Sequence, residues 1–362
     1  MDYQKRLRAL RGKIQEQKVE ALLITHLPDV RYLCGFTGSN AALAVTQQHA
    51  VMFTDGRYTA QAKQETRGAR VVIAKKSALR EACAWLEKSG MKKAYFDPEH
   101  TTVFALGMMR EAISKRRQQT FFQPLAKPLI AELRMVKDAE ELLLMRKAAL
   151  TGCQVFDAVL PHIEPGVPEV ELAATLEFFS RSLGADGMSF ETIVASGKRS
   201  AFPHGRATAE KLPRKGFVTL DFGVILNGYC SDMTRTVYLG KAGREERSAY
   251  EAVLEAQEAA VAAVRPGATC GDVDEAARQV LRKAGLAKYF THSTGHGVGI
   301  EIHEPPRVAA KQEQVLTQGM VITIEPGIYI EGKFGIRIED MVAVTESGAS
   351  ILTSAPKAMI QL

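Results

Sequence analysis

Three histidines, His292, His296 and His303, fall within twelve residues of the segment THSTGHGVGIEIHEPPR (291–307), out of eight in the whole chain. Four carboxylates stand in short apolar surroundings elsewhere: Asp221 in VTLDFG, Asp232 in CSDMT, Glu325 in ITIEPG and Glu339 in IRIED. A carboxylate on an apolar strand points into low dielectric, where an unpaired charge is costly. Four that converge repel one another and cannot all ionise without cations. Taken singly, each acid could face solvent at a strand end or pair with Arg235 or Arg337, but the symmetric placement of all four argues for convergence. His296, between the glycines of GHG, adds a fifth donor on a backbone that can approach its neighbours closely. Two Asp, two Glu and one His make an oxygen-rich set. It suits harder ions such as manganese, cobalt or iron better than a thiolate zinc site would. Five donors, two of them bridging, hold two ions ~3.5–4 Å apart, a spacing that activates one water between them.

The elements that must position these residues repeat. IEPGVPEVELAATLEFFSRSLGA resembles VRPGATCGDVDEAARQVLRKAGL, each running from Pro-Gly into an acidic helix start and an amphipathic helix. Longer helices, roughly 138–160 and 244–264, precede these segments. A hairpin follows each one: KGFVTLDFGVILNGYCSDMTRTV lines up with QGMVITIEPGIYIEGKFGIRIEDMVAV. Such a duplication predicts helices outside, sheets inside and a pseudo-twofold axis between the halves. It relates Asp221 to Glu325 and Asp232 to Glu339.

The first ~125 residues read differently, as alternating short strands (EALLIT, AVMFTD, ARVVIA) and helices (ALREACAWLEKS), a small α/β domain. FFQPLAKPLIAELR carries two prolines and breaks the pattern, so domains are expected at 1–127 and 128–362. Residues 1–127 hold 22 Lys+Arg against 11 Asp+Glu, and the remainder 25 against 30. No recognition motif accompanies the basic half, so no nucleic-acid partner is expected. The acidic half fits bound cations. No apolar run is long enough for a membrane span, and the N-terminus lacks a signal peptide's apolar core. Five scattered cysteines, never in CxxC spacing, point to a reducing cytoplasm.

The motifs LDFG, SDMTRT, HSTGHGVGIEIHE, IEPGIY and RIED stand in the order of the dinuclear metallopeptidases of the pita-bread fold. The chain closely resembles the branch containing Xaa-Pro dipeptidase (prolidase) and aminopeptidase P. YLCGFTGSNAALAVT and FTDGRYTAQAKQE are similar to the creatinase-type N-terminal domain. The resemblance implies an α+β protein, with a smaller α/β creatinase-like domain before a C-terminal pita-bread domain. It implies that Asp221 binds one metal, that Asp232 and Glu339 bridge both, and that His296 and Glu325 complete the second. A metal-bridging hydroxide would attack the scissile carbonyl, with Glu325 as general base or proton shuttle. His303 would hydrogen-bond the substrate carbonyl and the developing oxyanion. His204, in AFPHG, would line the substrate pocket, and His292 and Arg337 would lie against it. Arg307 would hold a dipeptide's C-terminal carboxylate. The implied cofactors are two divalent ions, manganese first, with cobalt, iron or zinc as alternatives.

The resemblance also implies a homodimer, with the Gly35–Ser39 turn in reach of a neighbouring subunit's active site. The substrate expected is a peptide or dipeptide with proline at its second position. CGFTGS favours an Xaa-Pro aminopeptidase; Xaa-Pro dipeptidase is the alternative, to which Arg307 points. A non-catalytic peptide-binding pita-bread module is a remote third reading, set against the intact ligand set. Tyr329, in PGIY, reads as strand packing.

Overall fold

Short β-branched and apolar runs in the first third of the chain form a six-stranded sheet. Its strands are β1 (Ala21–Ile24), β2 (Ala42–Thr46), β3 (Ala50–Asp55), β4 (Arg70–Ala74), β5 (Ala94–Phe96) and β6 (Phe122–Pro124). They lie in the order β4-β3-β2-β1-β5-β6. β1 and β2 are buried along their whole length, which requires cover on both faces. The helices are α1 (Tyr3–Glu16), α2 (Leu27–Cys34), α3 (Thr59–Glu65), α4 (Ala78–Lys88), α5 (Val103–Glu111) and α6 (Leu129–Met135). In α1, Asp2 caps the helix by accepting from Lys5 N, and Leu7, Leu10 and Ile14 form the buried stripe.

This computed structural model describes all 362 residues and falls into two compact units, Met1–Arg134 and Met135–Leu362. The division lies a helix later than the expected 127. The prolines at 124 and 128 bracket a turn, but α6 stays with the first unit. Its Leu129 and Ile130 are buried, and Arg134 Nη1 donates to Asp29 Oδ1 at 2.7 Å.

In the second unit the duplication is explicit. Helices α7 (Ala139–Val159) and α8 (Glu169–Ser182) precede β7 (Gly187–Met188), β8 (Ile193–Ser196), β9 (Gly216–Phe222), β10 (Val224–Leu226), β11 (Tyr229–Cys230) and β12 (Met233–Leu239). Helices α9 (Arg244–Ala263) and α10 (Cys270–Lys283) precede the second set. It comprises β13 (Gly295–Gly297), β14 (Glu304–Val308), β15 (Val321–Ile324), β16 (Gly327–Ile330), β17 (Phe334–Arg337), β18 (Asp340–Val344) and β19 (Ala349–Ile351). Capping boxes start α7 (Asp138 with Glu141) and α10 (Thr269 with Asp272). In each half an antiparallel pair, β9 with β12 or β15 with β18, is the scaffold. Each half also makes an excursion between its two acids: β10–β11 separates Asp221 from Asp232, and β16–β17 separates Glu325 from Glu339.

The sheets are ordered β12-β9-β8 and β14-β13-β15-β18-β19. They meet where β12 runs beside 337–339: Glu339 N donates to Thr234 O at 3.1 Å, and Thr236 Oγ1 to Arg337 O at 2.9 Å. That junction brings the halves' acids together. Beneath it, Arg235 is 1% exposed and donates to Asp340 Oδ1 at 2.8 Å and to the carbonyls of Ala355 and Pro356. Asp340 also accepts from Gln257, Thr353 and Lys357. No helix of the protein is long and apolar enough to cross a membrane.

Asp340→Ala leaves the Arg235 guanidinium buried without its counter-charge. It is expected to cost about 3–5 kcal/mol and to lower the thermal midpoint by roughly 10 °C, read by calorimetry. An unchanged midpoint would show that the pair contributes nothing net.

Candidate metal centre and active-site cavity

The second unit contains a cavity of about 860 Å³ whose wall includes Asp221, Asp232, Glu325, Glu339, His204, His292, His296, His303, Arg307 and Arg337. All ten residues singled out in the sequence therefore face one space. Asp221 comes from the end of β9, Asp232 from just before β12, Glu325 from just after β15 and Glu339 from just before β18. His296 is the middle residue of β13, held between β14 and β15. A Cβ at Gly295 would overlap Thr323 O, and one at Gly297 the carbonyls of Glu304 and Pro305. Only glycine on both sides lets this strand lie so close to its neighbours.

The donors point at one another. One ligand atom from each of Asp232, His296 and Glu339 lies within 4.8 Å of the others. His296 Nε2 is 3.5 Å from both Asp232 Oδ2 and Glu325 Oε1. The ring's Nδ1 sits 2.9 Å from Gly297 O and so must carry the proton, which leaves a lone pair on Nε2 aimed at the carboxylates. Burial holds the His296 imidazole neutral, its pKa pushed down to about 4. Asp221 Oδ1 is buried with no hydrogen-bond partner, while Oδ2 accepts from Arg337 Nη2 at 2.6 Å.

The carboxyl groups register the same conflict. Asp232 is raised well above its ordinary range by burial first, then by Glu339, Asp221 and Glu325. Glu339 is raised by burial, then by Glu325 and Asp221. Glu325 is pushed up to about 8, again mainly by burial. Lone pairs facing lone pairs, an orphaned carboxylate oxygen and acids that resist ionisation together fit divalent cations held by Asp221, Asp232, His296, Glu325 and Glu339.

The remaining residues divide into two groups. His303 packs edge-on against His296, ring centroids 4.4 Å apart, and burial holds its pKa below the ordinary value. His204 is exposed on the cavity wall. Arg307 stands on β14 directly opposite His296. Arg337, expected to touch substrate, borders the cavity but is only 4% exposed, its donors taken up by protein groups. Its guanidinium donates to Asp221, to Thr234 Oγ1 at 3.0 Å, to Pro203 O at 3.0 Å and to Tyr329 Oη at 2.6 Å.

Tyr329 is thus more than strand packing. It accepts from Arg337 and lies 3.0 Å from His292 Nε2, whose Nδ1 is directed at Ser293 O. Sequence reasoning also passed over Thr234, which receives Arg337 Nε and donates to Glu339 Oε2 at 2.7 Å. Its place in SDMTRT, two residues beyond Asp232, was the available signal.

A fold built on two helix–helix–hairpin halves around clustered carboxylates defines a metallohydrolase. Residues 143–346 match metallopeptidase family M24, and residues 6–136 match the Creatinase/Prolidase N-terminal domain. The chain belongs to metallopeptidase family M24 and has its pita-bread fold. An Xaa-Pro dipeptidase from Bacillus anthracis superposes with a TM-score of 0.95 at 37% identity, covering 100% of both chains. The Xaa-Pro dipeptidase of Pyrococcus horikoshii is 34% identical over 96% of each sequence. An X-Pro aminopeptidase from Thermotoga maritima superposes with a TM-score of 0.88 at 34% identity, covering 97% of this chain and 100% of its own.

Cations must displace the protons that burial keeps on these carboxyls. Loading the metal-free protein at pH 7 is therefore expected to release protons, seen as a calorimetric heat that varies with buffer ionisation enthalpy. With the Glu325 carboxyl raised from 4.5 to about 8 in the folded state, the unfolded chain gives up that proton first as pH climbs. The metal-free protein accordingly loses stability across that window. Asp232→Asn removes one carboxyl that must either hold a proton at neutral pH or ionise against its neighbours. Its metal-free form is expected to melt above metal-free wild type and to gain less from added Mn²⁺; identical melting of the two would contradict the electrostatic account.

Proposed function

We propose that this protein is an Xaa-Pro dipeptidase that hydrolyses the bond between a free N-terminal residue and a C-terminal proline. The observation that carries this reading is Arg307, on the wall of the cavity that holds the ligand set and in register with His296. It offers a dipeptide's carboxylate a planar two-pronged donor just beyond proline. The dipeptidases named among the relatives support this assignment over the aminopeptidase expected from CGFTGS. The Thermotoga maritima likeness keeps the aminopeptidase as the second reading.

In this reading Asp221, Asp232, His296, Glu325 and Glu339 hold two divalent ions, manganese by preference for so oxygen-rich a set. When bound, the ions would offset the carboxylate charge and lower the pKa of a water for attack on the carbonyl. The rest falls to the chain. Glu325, beside the attacking water, takes its proton and returns it to the departing proline nitrogen. The tertiary amide nitrogen of proline must gain that proton to leave as an amine. His303 donates to the carbonyl oxygen as it becomes an oxyanion. His204 and His292 flank the substrate. Arg337 fixes Asp221 rather than substrate, and Tyr329 carries that order to His292. We place the protein in the cytoplasm, since all five cysteines are buried and none forms a disulfide. Pairing into a homodimer belongs to the same proposal, and light scattering tests it.

With Mn²⁺ restored to stripped protein, Ala-Pro is expected to be cleaved and Ala-Pro-Ala-Ala spared, with Asp232→Ala inactive on both. Efficient cleavage of the tetrapeptide would establish the aminopeptidase instead. Arg307→Ala should raise KM for Ala-Pro by roughly 10–100-fold with little change in kcat, the mark of lost carboxylate binding. His303→Ala should lower kcat by about 100-fold.

A further inference from the structure

One buried ion pair outside the ligand set has one partner, Glu304, on the cavity wall. Lys137 Nζ lies 3.3 Å from Glu304 Oε2, with the side chains 1% and 3% exposed. Glu304 lines the cavity, and neither residue has a role in the chemistry above. Burying two charges returns little stability against a well-packed apolar pair, so retention of such a pair beside an active site points to what it holds in place.

Both partners are themselves fixed. Lys137 follows the bridge between Val136 and Met320, its N–H donates to Gly319 O at 2.9 Å, and Asp138 next to it caps α7. Glu304 is the first residue of β14, opposite Gly297. Its Oε1 accepts from Glu301 N at 3.1 Å. Its Oε2 fills the space over Gly299, where a Cβ would come within 2.6 Å. The carboxylate is thus the centre around which the loop Gly299–Glu304 is wound. The same loop is tied to the strand before Asp232 by Cys230 N donating to Gly299 O at 2.8 Å. Tyr229, adjacent, donates to Glu141 in the first turn of α7 at 2.9 Å. The start of α7 therefore grips the loop at two points. His303 immediately precedes Glu304, and Arg307 follows on the same strand.

We propose that Lys137 and Glu304 are positioning residues: their ion pair sets the loop Gly299–Glu304, and with it the place where the His303 imidazole meets the substrate carbonyl. The kinetic part of this proposal rests on the Xaa-Pro peptidase reading; the placement of His303 does not. A displacement on the order of 1 Å at a catalytic group can cost about 100-fold in rate.

The test compares wild type with K137M, K137R and E304Q. The last keeps an acceptor for the Glu301 N–H but loses the charge, and it serves if K137M fails to fold. On Mn²⁺-loaded protein, K137M and E304Q are expected to lower kcat for Ala-Pro by about 10–100-fold, with KM and metal stoichiometry within twofold of wild type. K137R should recover most of the rate. In metal-free protein labelled with ¹⁵N-histidine, the His303 ring signals, assigned through H303N, should shift in K137M and E304Q, while those of His26 stay put. Wild-type kcat and unmoved His303 signals in variants that merely melt lower would overturn the proposal and leave the pair a purely structural one. If wild type itself failed to cleave Ala-Pro, the substrate reading would fall, and the ring signals would still decide the positioning claim.

Discussion

The second unit is organised around a repulsion. Three carboxyl groups and the lone pair of a neutral imidazole are directed at a common space. A fourth carboxylate, Asp221, has one oxygen left without a donor. None of this lowers the free energy of the polypeptide alone. Every other element of the unit can be understood as what is needed to hold mutually hostile groups at close quarters until cations resolve the conflict.

Two kinds of restraint do this. One is covalent economy of the strand: each acid sits at the end of a β-strand whose body is fully buried, so its backbone cannot retreat without unzipping a ladder. The other is a set of compensating cations and hydroxyls placed behind the acids. Arg337 and Thr234 hold Asp221 and Glu339 from the far side, and Arg235 and Lys357 neutralise Asp340 one residue further on. The arginines that could have consumed the ligands as salt-bridge partners are instead divided: one steadies a single ligand oxygen, and the other is diverted to a non-ligand.

Much of this was legible in the sequence because it is local. The acids in apolar strand ends and the glycines beside His296 are patterns within short windows, the repeated helix–helix–hairpin shows when short segments are laid side by side, and the structure unites Asp221, Asp232, His296, Glu325 and Glu339 in one cavity. What was not legible depends on pairing across long separations. Arg337 reads equally well as a group facing substrate or facing protein until its neighbours Pro203, Thr234 and Tyr329 are known. Tyr329 looks like an ordinary strand residue because its partner His292 is 37 positions away. The prolines at 124 and 128 signal a turn but not which side of it packs with Asp29.

The spread of the ligand set along the chain has a consequence for synthesis. The five donors run from Asp221 to Glu339, and the strand bearing Arg235 is completed by residues as late as Leu362, whose N–H donates to Tyr238 O at 2.9 Å. A ribosome therefore releases the first unit's six strands long before any nascent fragment carries a full set of donors. The half-site built from Asp221 and Asp232 emerges first, and it must wait more than a hundred residues for its counterpart. Until His296 emerges the growing polypeptide holds only two of the five donors, both carboxylates, a poor trap for stray divalent ions. Metal selection is thereby deferred to a finished molecule rather than left to whichever cation a half-made one meets first.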